Sequence, residues 1–179
     1  ANQYSDVIHH LVITCNQKGS LAQRAQKNSN SLVICLDEKT NDRGLAMTAS
    51  FSNMVIAGQA CSQVNSPEDY KKVLFRLVGA GKHILSVAPV IAKQVAESDF
   101  QRAVFLGSGS HYGTAMESHL KLQELTNGRV MCSYNTFLDL RHGPKAIINK
   151  QTLIIAFLAS DPYVRRYEIE LLNEVRRQE

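Results

Sequence analysis

No two of the four cysteines stand at CxxC spacing, no apolar run reaches the length of a bilayer span, and neither charge sign dominates the chain. Each absence removes a class of function. Cys15, Cys35, Cys61 and Cys132 have no partners at zinc-ligand spacing, so no metal site is signalled. Three of the four lie inside apolar runs, which predicts buried, reduced thiols in a cytoplasmic protein. The lack of a signal peptide and of a long apolar run predicts a soluble chain that engages no membrane. Basic residues number 20 against 16 acidic, a net charge of +4. That excess favours an anionic small molecule and is too small and too scattered for nucleic acid. The densest basic cluster, Arg165, Arg166, Arg176 and Arg177, is interleaved with Glu168, Glu170 and Glu174 and reads as a solvated helix face. No aromatic residues alternate with it as a base-stacking surface requires.

What is present is an ordinary globular balance. Of 179 residues, 44% are hydrophobic and 20% charged, enough to bury a core. Five short Val/Ile/Leu-rich runs read as strands covered on both faces: 10–14, 32–36, 103–106, 129–132 and 153–158. Helical patterns lie between them at 20–27, 47–64, 67–78, 84–98, 113–125 and 163–177. Ser66-Pro67 with Glu68 and Asp69 marks one helix start, and Gly79 and Gly81 mark its end. Asn127-Gly128 closes another. The alternation predicts a three-layer αβα class with parallel sheets, in two segments of two or three strands each. An open sheet normally has more strands. The chain also opens in what reads as a helix end and closes on a helix. It therefore reads as the middle of a larger two-domain protein: 1–65 ending a first domain, 66–98 linking helices, and 99–179 beginning a second.

Three local patterns carry chemistry. Phe105-Leu106-Gly107-Ser108-Gly109-Ser110-His111-Tyr112-Gly113 is a strand, a glycine turn and a helix start. Such a turn lets a ligand approach, and the helix start offers N–H groups to an anion. Gly107, Ser108 and Gly109 are therefore candidate ligand contacts, and a purely structural tight turn explains the glycines equally well. A dinucleotide fingerprint does not fit. Tyr112 takes the third-glycine place, and the next strand ends without an acid to hold a ribose. On the following helix, Lys121 and Glu124 are three apart and share a face, a spacing that also suits a plain surface ion pair. Finally, Leu140-Arg141-His142-Gly143-Pro144-Lys145 puts an imidazole on a turn, where it can shuttle protons or merely stabilise the turn.

Taken together, the glycine turn, the Lys121-Leu122-Gln123-Glu124 helix and Arg141–Lys145 resemble the second SIS (sugar isomerase) domain of aldose–ketose isomerases. The match is to the AgaS-like group of tagatose-6-phosphate isomerases and galactosamine-6-phosphate deaminases. Ser160-Asp161-Pro162-Tyr163, Thr40-Asn41-Asp42-Arg43 and Ala46–Phe51 add to it, and Ile13–Asn16 with Gly19–Ala22 resembles the later part of a first SIS domain. The resemblance spans essentially the whole chain. Absent from it are the family's Ser/Thr-rich phosphate loop and its C-terminal lysine.

The resemblance implies a sugar-phosphate substrate, a dimer and no metal or redox cofactor. It implies Glu124 as the carbon base, His142 as the ring-opening residue that reaches a neighbouring subunit's site, and Lys121 as orienter of Glu124 or stabiliser of the enediolate. It places Thr48 and Ser50 against the sugar or its phosphate. Isomerase and deaminase chemistry share these residues and stay unseparated. Two rivals remain: a non-catalytic SIS module that senses sugar phosphates, and a chain that folds yet is inactive without its phosphate loop. The pairing of Glu124 with His142 argues for the enzyme over the sensor.

Overall fold

The computed structural model describes residues 7–177 and divides into two compact units, Ala1–Ser86 and Val87–Glu179. The division falls inside the expected linking segment 66–98. The helix end expected at the start of the chain lies outside the described residues.

In the first unit, β1 (His10–Thr14) and β2 (Ser31–Cys35) pair in parallel, His10 opposite Ser31 and Thr14 opposite Cys35. The crossover is α1 (Ser20–Gln26), which buries Ala22 and Ala25. A parallel pair needs such a crossover because a tight turn cannot reverse the chain twice. A 3-10 turn, Glu38–Thr40, leads to α2 (Ala49–Ser62).

The next helix, α3 (Pro67–Ala96), is continuous over 30 residues. This corrects the expected break at Gly79 and Gly81. Each helical glycine costs only about 1 kcal/mol, less than ending one helix and nucleating another. No atom approaches either glycine that would force the chain to turn. Pro89 is likewise accommodated within the helix. The same correction reaches the expectation about membranes. As a single helix, α3 is long and apolar enough to cross a bilayer by length and composition, and none of that apolar window is buried within the structure. Membrane spans and amphipathic helices covered by other protein share these features.

The second unit is built on β3 (Arg102–Gly107), with β4 (Met131–Asn135) on one side and β5 (Thr152–Phe157) on the other, all parallel. Successive β3 side chains point to opposite faces, and both faces are covered. Ala103 and Phe105 pack with Ala115 of α4 (Ser110–Leu125). Val104 and Leu106 pack with Phe137 and Leu140 of α5 (Phe137–Arg141) and with Leu171 and Val175 of α6 (Pro162–Arg177). This is the expected three-layer arrangement, and it explains why β3 reads as an unbroken apolar run rather than an alternating one. Strand order reverses at β3, so its carboxyl end is the switch point where ligands of such sheets sit.

The thiols differ from expectation. All four cysteines are free, Cys35 is exposed and the other three are only half-buried. Cys35 ends a strand of the two-stranded sheet, which covers its strands less than a larger sheet does.

Candidate functional site

The glycine turn is shaped by packing as well as by any ligand. Gly107 ends β3 where the first turn of α4 crosses it, and a Cβ there would lie 2.1 Å from the His111 carbonyl oxygen. Gly109, the residue before α4, has φ of 57°, which disfavours a side chain. The amides of His111 and Tyr112 already donate to the carbonyls of Ser108 and Gly109 at 3.1 Å each. Two of the N–H groups that a helix start would offer an anion are thus engaged. Ser108 is half-buried and lines a cavity at this turn.

About two to four turns into α4 lies a charged constellation. Lys121 Nζ is 2.6 Å from Glu124 Oε2 and 3.4 Å from Glu117 Oε1. The three side chains are only 19–24% exposed. Spacings of four and three put them on one helical face, so a cation sits between two carboxylates. Glu124 first, then Glu117, raise the Lys121 pKa above its ordinary 10.5. Lys121 therefore stays cationic through neutral pH and acts by charge rather than as a base. The stabilisation this pairing adds is present below the ordinary lysine pKa and is lost as pH rises through the raised value. Glu117 was not among the sequence candidates. The i, i+4, i+7 pattern of Glu117, Lys121 and Glu124 was the available signal. On the other side of the same helix, the His119 ring lies against Tyr134 with ring centroids 4.4 Å apart.

His142 is the C-cap of α5, with its amide donating to Asp139 O at 3.0 Å. It is exposed, and its imidazole bonds none of the described residues. No hydrogen bond or ion pair joins it to Lys121 or Glu124. The turn is held by its neighbours instead. Thr136 accepts from the Asp139 amide at the start of α5, while Arg141 (3.6 Å) and Lys145 both pair with Glu174 of α6. Lys145, then Arg141, hold the Glu174 carboxyl below the usual carboxylate range.

In the first unit, Thr48 and Ser50 converge on Asp42. The Asp42 carboxylate accepts from Thr48 N (2.8 Å), Thr48 Oγ1 (2.9 Å), Ala49 N (3.0 Å), Ser50 N (3.0 Å) and Ser50 Oγ (2.7 Å). Asp42 thus fills the N-terminus of α2, where an anion is stabilised by unpaired amides. Both hydroxyl hydrogens of the two sugar-binding candidates are spent on it. A cavity of about 330 Å³ opens beside this cap, lined by Thr14, Asn16, Asp42 and Ser50 among others. The Ser50 hydroxyl, then the Ser50, Thr48 and Ala49 amides, push the Asp42 pKa far below its ordinary 3.8. A depressed carboxyl contributes stability that is present above the unfolded pKa and lost as pH falls through the folded one. An Asp42→Asn variant should therefore melt at lower temperature at pH 7, with the gap to wild type narrowing as pH falls below 4. A gap that stays constant in calorimetry from pH 7 to pH 2.5 contradicts this role.

No family model matches the chain. Over 179 residues it is 38% identical to an Escherichia coli protein named D-galactosamine-6-phosphate deaminase AgaS, covering 99% of this chain and 46% of that protein. The crystal structure of tagatose-6-phosphate ketose/aldose isomerase from Escherichia coli superposes with a TM-score of 0.88 at 37% identity, over 99% of this chain and 48% of the other. That of glucosamine-6-phosphate deaminase from Thermotoga maritima superposes at 0.72 and 25% identity, over 91% and 49%. The chain spans about half the length of the curated relatives it matches.

Proposed function

We propose that this chain, which belongs among the SIS-type sugar-phosphate isomerases through its AgaS-like relatives, supplies catalytic groups to an aldose–ketose isomerase that also deaminates an amino sugar phosphate. The carrying observation is the half-buried Glu117–Lys121–Glu124 constellation on α4. A base poised beside a fixed cation is what proton transfer through an enediolate requires. Glu124 takes the proton from C2 of the open-chain sugar and delivers it to C1. The charge that develops on oxygen is held by Lys121. With an amino group at C2, the same shift leaves a C2 imine. Water adds to it, ammonia departs, and a ketose phosphate remains, tagatose 6-phosphate in the case of galactosamine 6-phosphate.

His142 opens the ring, and its exposed, unbonded imidazole supports action in the site of a second copy of the chain. Thr48 and Ser50 act at the sugar through the Asp42 cap they hold, and Gly107 and Gly109 act by presenting Ser108. The domain reading remains 1–65 and 99–179 joined by 66–98. Reduced cysteines, a cytoplasmic location and a sugar-phosphate ligand are consistent with these roles. The sensor alternative is not favoured, because binding alone has no use for a carboxylate pair around a lysine.

The test is incubation of the full-length protein with galactosamine 6-phosphate in D₂O. Ammonia and tagatose 6-phosphate should form in equal amounts, with solvent deuterium at C1. Saturable binding of several hexosamine and ketose phosphates without turnover would instead establish a sensor and end this reading.

A further inference from the structure

The His142 imidazole bonds none of the described residues, yet the cations on either side of it in the chain share one carboxylate. Arg141, the last residue of α5, reaches Oε2 of Glu174 on α6 at 3.6 Å. Lys145, in the 3-10 turn Pro144–Ile147, donates to Oε1 of the same carboxylate. Glu174 therefore bridges both ends of the His142-Gly143-Pro144 link. Among the described residues neither cation has another ion-pair partner, and all three side chains are half-buried. The link itself has little to fix it. The His142 amide donates to Asp139 O at 3.0 Å, and the Ala146 amide donates to Gly143 O at 3.1 Å. Nothing lies within 4 Å of where a Gly143 side chain would begin, and glycine leaves its own torsions free.

Docking of α6 does not depend on these pairs. Leu171 and Val175 of α6 are buried against Phe137 and Leu140 of α5, an apolar contact. Ion pairs as open to solvent as those of Glu174 stabilise by about 1 kcal/mol or less each. Their consequence is geometric. A carboxylate tied to Arg141 on one side and Lys145 on the other limits how the end of α5 moves against the 3-10 turn. It thereby sets the direction in which His142 leaves the chain. The Lys145 ammonium, then Arg141, hold the Glu174 carboxyl below the usual carboxylate range, which keeps the bridge charged at neutral pH.

We infer that Glu174 is a positioning residue for His142, fixing through Arg141 and Lys145 the turn that aims the imidazole at the ring oxygen. Glu174 acts through that turn and not on the substrate. The inference rests on the sugar-phosphate reading, in which His142 opens the ring, and adds to it a residue of α6. A proton donor must stand within hydrogen-bond reach of its target, and a misplacement of about 1 Å costs about a hundredfold in rate. Loss of the bridge loosens the turn without removing the imidazole, so its effect should be smaller, about tenfold.

The experiment compares full-length wild type, Glu174→Gln, His142→Asn and their double variant on galactosamine 6-phosphate, with ¹⁵N relaxation of the His142 and Gly143 amides. Glu170→Gln is the control, since Glu170 lies one turn earlier on α6 and pairs with Arg166 at 3.4 Å. Glu174→Gln should lower kcat about tenfold and leave KM nearly unchanged. The order parameters of the two amides should fall from about 0.85 toward about 0.6. Glu170→Gln should move neither. Sugar rings also open slowly without a catalyst, so His142→Asn keeps a residual rate, and adding Glu174→Gln should not lower that rate further. Wild-type kcat in Glu174→Gln, unchanged amide order, or a further tenfold fall in the double variant would each overturn the inference and leave the sugar-phosphate reading standing. A lower melting temperature with kcat intact is what a plain docking role for Glu174 predicts. Full turnover by His142→Asn would instead end the ring-opening assignment, and the inference with it. If Glu174→Gln unfolds, Lys145→Gln, which removes one arm of the bridge, decides by the same measurements.

Discussion

Gly107→Ala should destabilise the second unit by about 3 kcal/mol or more, at the upper end of what overpacking costs. The added Cβ would lie 2.1 Å from the His111 carbonyl oxygen and 2.5 Å from its carbon. Both are backbone atoms in the first turn of α4, so no side-chain rotation relieves the contact. Relief requires lifting α4 from β3, which opens the packing of Ala115 against Ala103 and Phe105. Gly113→Ala is the matched control. It lies inside α4 with nothing within 4 Å of the new methyl, and its expected effect is a gain of about 0.5–1 kcal/mol from helix propensity. Urea unfolding followed by circular dichroism separates the two. Coincident midpoints for Gly107→Ala and wild type would show that α4 yields freely and that packing does not require the glycine.

The second large effect concerns Glu124. If Glu124 is the base we propose, Glu124→Gln, which keeps the shape of the side chain, should lower the proposed turnover of galactosamine 6-phosphate by about 10²–10⁴, the usual contribution of a positioned general base. KM should change little, because the amide still fills the space. Stability should also hold, since Lys121 keeps Glu117 at 3.4 Å. A structural ion pair predicts the reverse: intact turnover and a lower melting temperature. Mixing the Glu124→Gln and His142→Asn proteins tests the subunit assignment. If the two groups act from different chains, hybrid dimers regain part of the activity that neither variant has alone. No recovery in a mixture shown to exchange subunits would return His142 to its own chain's site or remove it from the chemistry.

Local order was legible where it follows from chain chemistry. The Val/Ile/Leu runs marked the five strands among the described residues, and β3, buried along its length, is the one whose apolar run follows from cover on both faces. Their ends moved by up to three residues, as at 129–132 against Met131–Asn135, since boundaries depend on neighbours that pair with them. Asn127 and Gly128, both at positive φ, end α4 as the dipeptide suggested. Gly79 and Gly81 misled because a glycine permits a helix to end without requiring it.

For the site, the sequence by itself determined that Lys121 and Glu124 share a helical face, and that a histidine stands on the turn after Arg141. Those relations are fixed by helical periodicity and by Gly-Pro. Only the tertiary structure decided what surrounds them. The half-burial of Glu117, Lys121 and Glu124 is seen only in the folded chain, since their spacing suits an exposed ion pair equally well. The convergence of Thr48 and Ser50 on Asp42 spans six to eight residues and depends on how the loop folds back on α2. Glu168 read as one charge on a solvated face. Its burial beside an apolar cavity follows from which side of α6 meets the sheet and α5, and its i, i+3, i+7 spacing with Leu171 and Val175 was the local signal, outweighed in the sequence by its charge.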